Sequence, residues 1–286
     1  RQFDFPWLAA NAIDTETGKP YFRPYTVIRR SGKKIVVYGL ITPAIDKWLP
    51  PQIWDGIRFE DMVETARRDI PAIMEKEKPD LLVGLFHAGL DYTFDGEDAT
   101  TPCNENASLL VAQQVPGFDI IIAGHDHQPY MGWAEGPTDS VWVMNPGSRA
   151  KRIADIEVNF GKGKTISGQW VATDSLEPHP AYMETFRGTI QQTQDYVNRQ
   201  TGRFAGAFHS RDAFFGPAPF TNLIHHIQLG LSGAQVSFTA PLAYNTTIEA
   251  GPVYVRDMFK LYRYENLLYT MRLTGQEIHD MLEFSY

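Results

Sequence analysis

Apolar and polar positions alternate along residues 22–29 and again along 34–42, and the Arg30-Ser-Gly-Lys33 stretch between them has the length and composition of a hairpin turn. The spacing then changes. Phe59, Met62, Val63, Ala66 and Ile70 recur every three or four residues, which predicts a helix that Pro71 should kink or end. A continuous apolar run over 80–87 predicts a buried parallel strand, Ala107-Ser-Leu-Leu-Val-Ala112 a short helix, and 118–123 a second buried strand. Strand, helix and strand in that order form a βαβ unit, which brings the carboxyl ends of both strands to one edge of a sheet. Further strands are predicted over 140–144, 150–160 and 166–171.

Beyond Pro178-His-Pro180 the pattern turns helical, with Tyr182, Phe186, Ile190 and Val197 partly aligned up to residue 200. Residues 219–231 predict an amphipathic helix with Phe220, Leu223, Ile224, Ile227 and Leu231 on one face. Strands are expected over 236–240 and 267–273, and helices over 254–262 and 274–283. These elements divide the chain into a first domain over 1–177, a connecting helix over 178–200 and a second domain over 201–286.

Composition narrows the class. The 286 residues, 43% hydrophobic and 13% aromatic, suffice for one large or two ordinary domains with real cores. A net charge of −8 argues against binding to a nucleic-acid duplex, for which a basic face is expected. Cys103 is the single cysteine, in a polar loop, so it forms no intrachain disulfide and leaves the redox compartment open. No apolar run approaches the length of a membrane span.

The chemistry concentrates at the two buried strands. The first ends on His87-Ala-Gly89 and the second on Ala123-Gly-His-Asp-His127. If the second strand stays extended, His125 and His127 share a face, and the βαβ connection brings His87 to the same edge. Three imidazoles at one place suggest a metal site, with Asp126 turned away, either solvated or bonded to backbone. Asn145-Pro-Gly-Ser148 reads as a turn. His225 and His226 are adjacent on a helix and point about 100° apart, so they read as packing or surface residues, and His179, His209 and His279 as surface.

Together, Leu85-Phe-His87-Ala-Gly, Ala123-Gly-His-Asp-His127 and Met144-Asn-Pro-Gly-Ser148 resemble motifs of the calcineurin-like metallophosphoesterases. The similarity is to the secreted branch of 5'-nucleotidases and 2',3'-cyclic-nucleotide 2'-phosphodiesterase/3'-nucleotidases. Phe5-Pro-Trp-Leu-Ala-Ala-Asn11 and Tyr38-Gly-Leu-Ile-Thr-Pro43 fit segments between that family's motifs. Tyr264-Glu-Asn266-Leu-Leu-Tyr-Thr-Met-Arg-Leu-Thr-Gly275 is similar to part of its C-terminal substrate domain. Where the 5'-nucleotidases carry an Asn-Gly-Gly-Gly-Ile-Arg loop, this chain reads Phe238-Thr-Ala-Pro-Leu242, closer to the cyclic-nucleotide branch.

The resemblance implies an α/β fold: a four-layer α-β-β-α sandwich, here incomplete, then a linker helix and part of an α+β C-terminal domain. It implies a centre of two divalent ions (Zn, Mn, Fe or Co) that activates water against a nucleotide or cyclic nucleotide. Carried over residue by residue, His87 and His125 match ligands of one ion, His127 a ligand of the other, and Tyr264 an aromatic that stacks on the base. The family's Asp-x-His and Gly-Asn-His motifs, the second bearing its transition-state histidine, do not occur in this sequence. The chain is therefore expected to be a middle piece, inactive alone, of an enzyme of the bacterial periplasm or cell surface. Two competing readings are a non-catalytic binding domain that keeps the fold, and a related hydrolase of UDP-sugars or thiosulfate-like esters.

Overall fold

The computed structural model describes residues 4–161, 163–262 and 267–285. The chain divides into two compact units, Arg1–Glu177 and Pro178–Tyr286.

The first unit is built on one mixed sheet. In chain order its elements are β1 (Ala12–Asp14), β2 (Tyr25–Arg30), β3 (Lys33–Ile41), α1 (Ile45–Trp48), α2 (Pro51–Trp54), β4 (Ile57–Phe59) and α3 (Met62–Glu77). There follow β5 (Leu81–His87), α4 (Ser108–Gln114), β6 (Ile120–Ile122), β7 (Tyr130–Ala134), β8 (Val141–Asn145), β9 (Arg152–Phe160) and β10 (Lys164–Ala172). The sheet runs β2-β3-β5-β6-β8-β7. Its four central strands are parallel and its two edge strands antiparallel. The β2–β3 turn is the expected two-residue hairpin, with Ser31 and Gly32 at φ 47° and 75°, the backbone that suits the twist of paired strands.

Each face of the sheet has its own cover. On one face Val36, Tyr38 and Leu40 of β3, Leu82 and Phe86 of β5 and Ile121 of β6 pack against Met62, Ala66, Ile70 and Ile73 of α3 and Leu110 and Val111 of α4. On the other, Leu81, Val83 and Ile120 pack with Ile156, Val158, Phe160 and Ile166 of the β9–β10 hairpin. Alternation along each strand thus feeds both covers, and full burial of a side chain such as Ile121 contributes about 2 kcal/mol. The result is a helix layer, a sheet and a second β layer, the mixed α/β fold expected.

Local readings differ in places. Pro71 does not end α3, which runs six residues further to Glu77. Ile70 and Ile73 on either side of the exposed Pro71 are buried in the core, and that packing outweighs the missing backbone donor. Asp61 caps the helix by accepting from the Glu64 N–H, and Phe59 lies in β4 rather than in the helix.

The second unit contains α5 (Pro180–Val197), β11 (Gln200–Phe204), β12 (Phe208–His209), α6 (Pro219–Ser232), β13 (Thr247–Ile248), β14 (Gly251–Tyr254), α7 (Val255–Leu261) and α8 (Gly275–Ser285). β11 pairs with β14 and β12 with β13, both antiparallel. Its buried cluster is small: Phe220, Ile224, Ile248 and Leu261, with Phe204, Phe208, Leu223 and Met258 against it. Residues 236–240 form no strand. Ser237 instead hydrogen-bonds to His225 and Gln228 of α6, which holds the segment on the helix. Residues 267–273 are not a strand either, and Leu267, Tyr269 and Met271 are exposed. No helix among the described residues is long and apolar enough to cross a membrane.

Candidate functional site

The parallel strands deliver their carboxyl ends to one edge of the sheet, and the predicted chemistry gathers there. His87 is the last residue of β5, with its backbone opposite Ile41 at the end of β3. Residues 124–127 follow β6, which ends at Ile122, and 145–148 follow β8. His87 and His125 meet edge to face with ring centroids 5.4 Å apart. Burial first, and then the charges of His125 and His127, hold the His87 imidazole below its ordinary pKa. The charges of both later histidines thus reach the His87 ring.

The two histidines after β6 do not lie in an extended strand as the alternation implied. His125 and His127 have φ 91° and 61°, a left-handed backbone that non-glycine residues seldom adopt. Asp126 between them holds the turn. Its Oδ2 accepts from the Leu90 N–H at 2.9 Å, and its Oδ1 accepts from the Gln128 N–H at 3.1 Å and from Asn145 Nδ2 at 2.7 Å. Asp126 is thus a structural clamp, bonded to backbone, one of the two alternatives the sequence left open. Asn145 is fully buried, and its Oδ1 accepts from the Gly147 N–H at 2.9 Å, closing the predicted turn.

Gly89 lets these segments approach. A Cβ there would lie 2.3 Å from Asn106 Oδ1 and 2.8 Å from the Asp126 Cβ. Asn106 Oδ1 in turn accepts from the Gly89 N–H at 3.1 Å, and Ser108 Oγ donates to the Ala88 carbonyl at 2.8 Å. The side chains of Asn106, Ser108 and Asp126 thereby fix the backbone of residues 88–90, just after His87.

Two residues at the site carry no sequence motif. Glu105 Oε1 lies 2.9 Å from His125 Nε2, with both side chains about four-fifths buried. Trp48 of α1 stacks on the His125 ring at 5.0 Å between centroids and 20° between planes. Asparagines flanking a glutamate in Asn104-Glu-Asn106 are the one trace of Glu105 in the sequence.

Neutral imidazoles are suitable donors for a borderline divalent ion, and a lowered His87 pKa favours that form. The number is short, however. Among the described residues, no group of three or more His, Cys, Asp or Glu side chains is disposed to hold a metal ion. His87, His125 and His127 therefore do not make a metal centre by themselves. Tyr264, the expected base-stacking residue, lies outside the described residues.

Comparison with known proteins agrees with this architecture. The family described as 5'-nucleotidase, C-terminal domain matches residues 197–286. Nearly the whole chain, 99%, is 27% identical to the trifunctional nucleotide phosphoesterase protein YfkN of Bacillus subtilis, of which it covers 22%. It is 24% identical over 98% of its length to a 2',3'-cyclic-nucleotide 2'-phosphodiesterase/3'-nucleotidase of Yersinia enterocolitica, covering 50% of that protein. The fold matches the crystal structure of a 5'-nucleotidase precursor from Thermus thermophilus, with TM-score 0.64 and 19% identity over 90% of this chain and 52% of that one. It also matches the crystal structure of the B. subtilis calcineurin-like phosphoesterase YfkN, with TM-score 0.56 and 23% identity over 68% of this chain and 65% of that one. The chain spans half or less of the length of these two curated relatives. Over nearly all of its length the chain is thus similar to proteins named as nucleotide phosphoesterases, and its residues 197–286 match the 5'-nucleotidase C-terminal domain.

Proposed function

We propose that the chain is part of a metal-dependent hydrolase of nucleotide phosphoesters, acting on 5'-nucleotides or on 2',3'-cyclic nucleotides and 3'-nucleotides. The observation that carries this reading is the contact of the His87 and His125 rings at the carboxyl edge of the sheet, with His127 near enough for its charge to act on His87, in a chain whose relatives are named nucleotide phosphoesterases. In this reading the three imidazoles are part of a ligand set, and the remaining donors come from outside the described residues. The chain alone then turns over nucleotides slowly, because the described residues offer no complete metal group. Residues 1–177 hold the phosphoester pole. Residues 178–200 link it to a substrate domain in which Tyr264 stacks on the base. Action at the bacterial periplasm or surface belongs to the same proposal.

A substrate panel tests it: 5'-AMP, 3'-AMP, 2',3'-cyclic AMP and UDP-glucose, assayed with added manganese on this chain and on the product of its whole gene. The whole-gene product is expected to hydrolyse the nucleotides and to lose that activity in His125→Ala, with little turnover by the chain alone. Preference for the UDP-sugar, or no nucleotide hydrolysis by the whole-gene product, would overturn the reading.

A further inference from the structure

Glu105 belongs to no motif of the site, yet the fold takes some trouble to place it. Its two neighbours are buried asparagines whose side chains bond to backbone. Asn104 Nδ2 donates to the Tyr92 carbonyl at 2.8 Å, and Asn106 Nδ2 donates to the Asp91 carbonyl at 3.2 Å. The Glu105 N–H donates to Glu97 Oε2 at 2.9 Å, while Glu97 Oε1 pairs with Lys47 Nζ at 3.0 Å. Lys47 is next to Trp48, whose indole stacks on the same His125 ring that Glu105 reaches. A closed circuit of contacts therefore runs from Lys47 through Glu97, Glu105 and His125 to Trp48.

An ionised carboxylate only accepts hydrogen bonds, so the proton at this contact sits on His125 Nε2. A neutral ring then has its lone pair on Nδ1, and no hydrogen bond to Nδ1 forms among the described residues. We propose that Glu105 is a positioning residue that fixes His125 in the Nε2–H tautomer and in its orientation, leaving Nδ1 as the ligating nitrogen. Trp48 limits rotation of the ring from its face. This deepens the metal-site reading above and rests on it only for the use to which Nδ1 is put, since outer partners of this kind set ligand tautomer and affinity.

The test is long-range 1H–15N spectroscopy of the metal-free full chain labelled at histidine, about two units above the ordinary imidazole pKa, with His125 assigned by its loss in His125→Gln. His125 is expected in the Nε2–H form. Glu105→Ala should release it to a mixture of tautomers, and Glu105→Gln, whose amide can either accept from Nε2–H or donate to a bare Nε2, should lower the Nε2–H fraction. An Nδ1–H pattern in the unaltered chain, or an unchanged pattern in folded Glu105→Ala, would overturn the proposal. If Glu105→Ala does not fold, the unaltered chain and Glu105→Gln still decide. Failure of nucleotide hydrolysis would count against the proposed function and leave this tautomer result standing.

Discussion

Asp126 sits between two histidines with left-handed backbone, and its carboxylate ties residues 90, 128 and 145 into one turn. Asp126→Ala should therefore lose about 1–3 kcal/mol in urea unfolding, because it leaves the Leu90 N–H and the Asn145 amide without an acceptor. Gly89→Ala should lose about as much, since its Cβ would overlap Asn106 Oδ1. A stability change within error for both would mean the turn is held by something else. His87 offers a test in pH. Its pKa is depressed in the folded chain, so the unfolded chain binds more protons across the imidazole range. The stability this group contributes is thus present above the ordinary imidazole pKa and lost as pH falls through the lower, folded value. An NMR titration should show His87 titrating at lower pH than an isolated imidazole, and His127→Ala should move it upward; no movement would deny that the His127 charge reaches His87. At this scale the placing of His87 and His125 at neighbouring strand ends was legible, because strand-end position is a local property. Glu105 and Trp48 were not, since they reach His125 across 20 and 77 residues of chain and only the folded loops bring them there.

Helix α3 carries a proline at an exposed position near its middle. Pro71 removes the N–H that would bond the Arg67 carbonyl and crowds that turn. Pro71→Ala should stabilise the chain by up to about 3 kcal/mol, read as a higher urea midpoint at unchanged slope. A lower midpoint would show that the proline is needed for the packing of α3. The periodicity of this helix was plain in the sequence, but the proline's effect was misjudged because tertiary burial of Ile70 and Ile73 is not a local quantity. The βαβ unit from β5 to β6 was legible for the converse reason: continuous apolar runs admit little but a sheet covered on both faces. The segments 236–240 and 267–273 show the limit of alternation, which marks a strand only where a partner strand exists.

The two units differ in how much core they own. The first has clusters on both faces of a six-stranded sheet, whereas the second buries chiefly Phe220, Ile224, Ile248 and Leu261. All six tryptophans, at positions 7, 48, 54, 133, 142 and 170, belong to the first. On heating, the second unit should melt first, so far-ultraviolet ellipticity should begin to fall before tryptophan fluorescence changes. Coincident transitions by both probes would show the chain to be a single cooperative unit. The sequence suggests a division near residue 178 from the Pro-His-Pro stretch and the change of pattern, whereas unequal core size is a property of packing.

The central claim is that His87, His125 and His127 form one partial ligand set at the carboxyl edge of the sheet. Titration calorimetry with zinc tests it most directly, on the unaltered chain and on His87→Ala, His125→Ala and His127→Ala. Because the set is partial, the account predicts one weak site per chain, weakened at least about tenfold further by each single replacement, about 1.4 kcal/mol or more. Zinc binding that is absent, or equal in all four proteins, would contradict it.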